Sequence, residues 1–371
     1  MAENNNLEKL RSGELWQEFC DALRDSGEQI LDATVPGDDL TRAEGFRYLT
    51  RLLRLSLEKN IEFASADYPQ FYSLSHETAK IGNDNPDNYY QNCAVDGRRE
   101  YRIYGNRGSV SYLSIETKAG SFAGGGAMAP TGHVELEQLQ VDENGNFELL
   151  VSTREQPGNW LPMTPDSDNI LVRQTFRDRQ SEQRAELHIE CLDPVGSDTL
   201  DAAEFAAQLS SVVPFVSGTA GLFKQWMDGF RGHVNQLPPN DQAMCLRCGG
   251  DPSIYYHNSY WELSPQQALL IEFAPPSVCR TWNFQLSNYW MESLDYRYHR
   301  ISINRDSAHY QPDGSVQIVV AARNPGHPNW LTTAGHASGA MLLRYVEAQD
   351  YPPVRTKVVP LAQLETGGES V

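Results

Sequence analysis

Basic residues are scarce in this chain of 371 residues. Thirty Lys and Arg stand against 49 Asp and Glu, a formal charge of −19. An acid excess of that size repels phosphate backbones and anionic headgroups, which argues against nucleic acid and membrane surfaces as partners. Long apolar runs are missing too, and none is expected to approach the roughly 18 residues that span a bilayer. The opening residues Met1-Ala2-Glu3-Asn4 carry neither the basic patch nor the apolar stretch of a secretory signal, so a cytoplasmic protein is expected. Six cysteines (Cys20, Cys93, Cys191, Cys245, Cys248 and Cys279) are too sparse and uneven for a disulfide framework, and reduced thiols are the expectation. No Gly-x-Ser-x-Gly elbow, HExxH helix or βαβ dinucleotide frame occurs. Gly124-Gly125-Gly126 lacks the Lys-Ser/Thr of a phosphate loop and reads as a hairpin.

What is present is a change of period along the chain. Leu10, Leu15, Trp16, Phe19, Leu23 and Ile30 recur at helical spacing, interrupted by Gly13 and Gly27. Thr41-Arg42-Ala43-Glu44 has the form of a capping box, and Phe46, Leu49, Leu53, Leu57 and Ile61 then form one packing face. From about Asn85 the period is two. Strands are expected at 101–104, 111–115, 134–139, 147–151 and 169–173, separated by Gly, Pro, Asn and Asp. Helical spacing returns between Asp198 and Asn235, where Pro214 and Gly218 are expected to break it in two. Strands resume from Tyr255 to Glu347, and an irregular tail follows Tyr351. The boundaries are a helical region 1–75, a first β module 76–192, a helical connector 193–250, a second β module 251–348 and a tail 349–371.

The two β regions read as copies. Asn88-Tyr89-Tyr90-Gln91-Asn92 matches Ile254-Tyr255-Tyr256-His257-Asn258, and Ser111-Tyr112-Leu113-Ser114 matches Thr281-Trp282-Asn283-Phe284. Asn144-Gly145 answers Asp313-Gly314, Asn159-Trp160-Leu161 answers Asn329-Trp330-Leu331, and Leu171-Val172-Arg173 answers Leu342-Leu343-Arg344. Five anchors in the same order at nearly constant offset predict two related antiparallel β-sandwich modules, mainly β with helical segments. Gly145 and Gly314 suit tight hairpin turns. Arg173 and Arg344 fall within apolar strands, so either one, if turned inward, needs an anionic or carbonyl partner.

The second module carries an ordered pattern: Thr281-Trp282-Asn283-Phe284-Gln285-Leu286, Arg300-Ile301-Ser302-Ile303, Asp313-Gly314-Ser315, Asn329-Trp330-Leu331 and Leu342-Leu343-Arg344-Tyr345. It resembles the DUF1214 family, which is often found with a DUF1254-type region upstream. The resemblance covers roughly the last third of the chain. It implies a jelly-roll β-sandwich there, with a β-rich domain and helices before it, and it carries no catalytic residue across. The family pattern places Asn before the Arg of Arg-x-Ser-Ile, whereas this chain has Tyr298-His299-Arg300.

Histidine and aromatic residues accumulate in the second copy, where His257, His299, His309, His327 and His336 lie. Imidazole suits proton transfer near neutrality, which makes His257 and His299 candidate catalytic groups, with Arg300 to bind an anionic or carbonyl oxygen. Tyr255, Trp282, Asn283, Tyr289, Asn304, Asn329, Trp330 and Arg344 are the candidate ligand-binding residues. The expected ligand is a hydrophobic oxygenated molecule (terpenoid, steroid or aromatic) in a pocket of the C-terminal sandwich. The competing expectation is a non-catalytic jelly-roll module for glycan or protein recognition. A candidate metal set is His233, Cys245, Cys248 and His257, built around a single CxxC. No cofactor is expected, and self-association into a homo-oligomer is left open.

Overall fold

The computed structural model describes residues 2–123, 126–196 and 199–365. Gly124 and Gly125 of the expected hairpin, and Asp198 of the connector, lie outside the described residues. The first sandwich contains β1 (Asn88–Ala94), β2 (Tyr101–Asn106), β3 (Tyr112–Ala119), β4 (Ala129–Glu135), β5 (Asn146–Ser152), β6 (Trp160–Pro162), β7 (Asn169–Thr175) and β8 (Glu186–Cys191). The second contains β9 (Ile254–Glu262), β10 (Gln267–Phe273), β11 (Thr281–Leu286), β12 (Ser302–Asn304), β13 (Val316–Ala321), β14 (Trp330–Thr332), β15 (Ser338–Val346) and β16 (Arg355–Pro360). Sheet orders β1-β7-β3-β4 and β6-β5-β2-β8 recur strand for strand as β9-β15-β11-β12 and β14-β13-β10-β16. The expected doubling is therefore a property of the topology. Pairing is antiparallel except at β5–β6 and β13–β14, which run parallel.

The Asn-Trp-Leu anchors show how closely the copies agree. Trp160 Nε1 donates to the Ser152 carbonyl at 3.2 Å, and Trp330 Nε1 donates to Ala321 at 3.0 Å. Asn159 accepts from the Gln140 amide and donates to Gln140 and Glu148 carbonyls. Asn329 accepts from His309 and donates to His309 and Gln317 in the same way. One side chain thus ties two backbone segments together, as Asn commonly does in loops.

Alternation along the strands decides which face is core. Trp282, Phe284 and Leu286 of β11 meet Met341, Leu343 and Tyr345 of β15 inside the second sandwich, with Trp261 and Phe273. These side chains fill that interior, so Trp282, expected to line a pocket of the C-terminal sandwich, is a core residue. The first sandwich is filled likewise by Ile103, Leu113, Ile115, Leu149, Ile170 and Val172.

The helices are α1 (Ala2–Ser12), α2 (Glu14–Ser26), α3 (Asp39–Leu57), α4 (Ala202–Phe230), α5 (Gln242–Arg247) and α6 (Ala362–Glu365). Asp38 caps α3 by accepting from the Thr41 amide at 2.9 Å, so Thr41 is inside the helix and the expected capping box is displaced. Pro214 and Gly218 do not break α4. Burial of Leu209, Val212, Val213, Phe215 and Val216 offsets the backbone bond lost at Pro214. Gly218 lets the Phe122 carbonyl approach so closely that a Cβ would lie 2.3 Å from it. By length and composition α4 could cross a membrane, contrary to the expectation that no segment approaches that length. It packs on α1, α2, α3 and β9. The strand expected at 134–139 stops at Glu135, because the Gln138 side chain accepts the Glu135 amide and a short 3-10 turn follows. The tail expected to be irregular supplies β16, which pairs with β10 and buries Val359.

Candidate functional site

The outer faces of β1-β7-β3 and β9-β15-β11 are polar and nevertheless buried, because the two modules turn them toward one another. Between them lies a cavity of about 150 Å³. Tyr90 and Asn92 of β1, Arg173 of β7, Tyr256 and Asn258 of β9 and Arg344 of β15 reach it from the sheets. Phe122, Met128, Phe223, Trp226, Met291 and Leu342 make its apolar side.

The polar groups obey the same twofold repetition as the fold. Tyr90 lies opposite Arg173, and Tyr256 opposite Arg344. Ser114 pairs with Arg173, and Asn283 pairs with Arg344. Ser114 is therefore the counterpart of Asn283, one residue away from the alignment that the sequence suggests. With that correction Glu116 answers Gln285.

The segments leading into the two modules cross over. Arg344 of the second module donates to the carbonyl of Asn83, ahead of β1, whereas Arg173 of the first donates to the carbonyl of Gly249, ahead of β9. Both carbonyls sit on left-handed backbone, with φ 58° at Asn83 and 91° at Gly249. Two residues on, the Asn85 amide donates to the Tyr90 hydroxyl and the Asp251 amide to the Tyr256 hydroxyl, each at 3.0 Å. Asn85 also accepts from Asn283 at 2.6 Å, while Asp251 accepts from Ser114 at 2.7 Å.

The two halves differ in charge. Arg173 pairs with Glu116 and lies 3.7 Å from Asp251, and Lys118 pairs with Glu116 as well. Burial raises the Glu116 carboxyl and lowers the Lys118 amine, and each is partly countered by its ionic neighbours. Burial works against Asp251 also, but His133, 3.6 Å away, and the charge of Arg173 outweigh it and hold the carboxyl below its ordinary range. Arg173 is pushed above its usual value, because Glu116 and Asp251 overcome the effect of burial. Arg344 moves the other way. Burial lowers it, and its contacts are the amide oxygens of Gln285 at 2.6 Å and Asn283 at 3.4 Å. Asp84 is nearby, but its oxygens accept from the Ser293 amide and hydroxyl.

A crystal structure of an uncharacterized protein from Burkholderia cenocepacia is 49% identical, with a TM-score of 0.94, covering 96% of this chain and 99% of that one. Residues 259–350 match the family described as "Protein of unknown function (DUF1214)". The chain belongs to the DUF1214 family. The VPA0106 protein from Vibrio parahaemolyticus shares the fold at 10% identity and a TM-score of 0.51, over 84% of this chain and 98% of that one. Among curated proteins none matches.

In this DUF1214 protein the expected site residues scatter. Arg344 lines the cavity and Asn283 holds it. His257 does not reach it: Tyr256 and Asn258 point that way, so the alternate residue faces the sandwich. There its Nδ1 is 3.1 Å from the Leu237 carbonyl, its ring meets Tyr345, and burial lowers its pKa. His299 is exposed beside Glu44 and His336, and exposed Arg300 donates to the Pro328 carbonyl. The proposed catalytic trio is therefore dispersed. Trp282 is core, Tyr289 packs edge-on to Trp290, and half-buried Tyr255 stacks on Tyr351 at 3.7 Å. Asn304 donates to Asp87 at 3.2 Å, and Asn329 and Trp330 form the loop bracket described above.

The candidate metal set does not converge either. Cys245 and Cys248 line the cavity, His233 contacts Ser259 at 2.8 Å, and His257 contacts Leu237. Burial pushes the Cys245 thiol up to about 12, so it is not a thiolate at neutral pH. Among the described residues, the one cluster with three converging ligand atoms is Glu135, Glu137 and Glu347, where Arg280 already pairs with Glu137 and Glu347. Sequence reasoning missed Tyr90, Gln285 and Glu116. Their signal was polar residues at alternate positions in strands whose other face is apolar.

Proposed function

We propose that this protein binds a small, partly apolar, oxygenated molecule in the cavity between its two modules. The observation that carries the reading is an apolar wall of Phe122, Phe223 and Trp226 facing a cluster of buried directional groups at Arg344, Tyr90 and Tyr256. Ligand sites have that make-up, with apolar contact for affinity and a few polar groups for orientation. A cavity of about 150 Å³ holds a benzene-sized guest. Of the ligand classes expected from sequence, a single-ring aromatic fits that space, and terpenoids and steroids are too large. Glycan or protein recognition by strand faces is less favoured, since two of those faces are turned inward.

Native mass spectrometry of the protein isolated from its own host tests the proposal. A bound small molecule is expected in the wild type and absent from Met128→Trp, which fills the cavity from its apolar side. Wild-type protein with no adduct, and with the same ligand-binding behaviour as the filled variant, would sink the proposal.

A further inference from the structure

We infer that the cavity's ligand is a monocarboxylate, with its anionic oxygens on Arg344 and an apolar body of about one ring against Phe122, Phe223 and Trp226. This rests on the cavity reading above and adds the charge and orientation of the guest.

The argument starts from the unequal copies. In the first half Arg173 is matched by Glu116 and Asp251. At the corresponding positions of the second half stand Gln285 and Asn85, both neutral amides. Two carboxylates near one guanidinium have become two carboxamides near the other, with the hydrogen-bonding frame retained. Arg344 is 5% exposed and remains cationic, since arginine is not deprotonated in proteins. A buried charge that lacks an ionic partner is costly, and an incoming anion relieves that cost. Among the described residues no carboxylate lies within ion-pair distance of Arg344: Asp84, which lines the cavity, and Asp87 act on it only through space, and their oxygens accept from Ser293 and Asn304, so a guest anion would be the first to pair with the guanidinium directly.

The donors needed to receive a carboxylate are in place. A guanidinium has five N–H groups. Arg344 directs hydrogen bonds to three described acceptors, Gln285, Asn283 and Asn83. Tyr90 and Tyr256 accept backbone N–H bonds through their oxygens, and neither hydroxyl donates to a protein atom among the described residues. Burial raises both phenols above their usual range, so they keep their protons. Two phenolic protons therefore remain for a guest in a cavity that also offers guanidinium N–H groups, the combination that makes strong charge-assisted hydrogen bonds.

Calorimetric titration of the full chain with benzoate and with benzamide separates the possibilities, since the two probes share a ring and differ in charge. Benzoate is expected to bind at least about tenfold more tightly than benzamide. Gln285→Glu, which restores the carboxylate found at Glu116, is expected to reduce benzoate affinity by about tenfold or more. Its unfolding midpoint is measured alongside. If that variant does not fold, Arg344→Lys carries the same test, because it keeps the charge but loses the planar fork. Equal binding of the two probes overturns the carboxylate while leaving the cavity reading intact. A benzoate preference that survives both substitutions removes the anion from Arg344 and overturns the inference. Failure of both probes to bind, with Met128→Trp behaving as wild type, counts against the cavity reading itself and takes the inference with it.

Discussion

Arg173 and Arg344 occupy one position in a doubled framework, yet the first is neutralised by carboxylates and the second is held by amides and a carbonyl. The stability of the protein should reflect that difference. Arg173→Met takes the guanidinium away from buried Glu116 and Asp251, leaving Lys118 as the cation paired with Glu116, and is expected to cost about 3–5 kcal/mol. Arg344→Met leaves neutral acceptors unpaired and should cost about 1–3 kcal/mol. Urea unfolding of both variants measures the pair. Equal losses would contradict the charge asymmetry described here.

The Asn brackets offer a second comparison between copies. Asn329 is 1% exposed and Asn159 is half-buried, although both make three hydrogen bonds to backbone. Asn329→Ala is therefore expected to destabilise by about 2–3 kcal/mol, and Asn159→Ala by less, because water reaches the orphaned groups there. Thermal unfolding of the two variants, with the opposite ranking as the damaging result, decides it.

A pH dependence follows from His336, whose Nε2 lies 3.1 Å from Glu44 and ties the second module to α3. Arg47 also pairs with Glu44. Burial lowers the imidazole, but the Glu44 hydrogen bond and charge outweigh it, so folded His336 titrates above its ordinary 6.5. The folded state then binds more protons than the unfolded state in the window above 6.5. Its contribution is complete below that value and disappears as pH rises through the folded pKa. The stability difference between wild type and His336→Gln should accordingly shrink as pH is raised above about 6.5. A difference that stays constant across that range would show that the ion pair contributes nothing.

Much of the fold was legible because strand anchors and turn residues repeat in order. Arg173 and Arg344 stood out as charged residues within apolar strands, and the requirement for anionic or carbonyl partners is met by Glu116 and by the Asn83 carbonyl. The cavity was not legible. A single-residue shift between the copies of β3 and β11 hid the correspondence of Glu116 with Gln285. The aromatic density of the second copy suggested a pocket, but Trp261, Trp282 and Phe284 are core. His257 misled for a related reason, since its neighbours Tyr256 and Asn258 face the cavity and the pleat turns it away. The long-range crossing of Asn83 and Gly249 leaves no periodic trace in either strand set.

That crossing has a consequence for how the two halves coexist. Each sandwich is clasped by the leader of its twin, Asn83 and Asn85 on one side and Gly249 and Asp251 on the other. Such reciprocal straps make the halves mutually obligate, so a chain nicked in the connector should hold together as a fragment pair, while either fragment alone would lack the carbonyl that its own arginine grips. The doubling thus left neither half self-sufficient, and it freed one of two equivalent arginines to become different without unlocking the assembly.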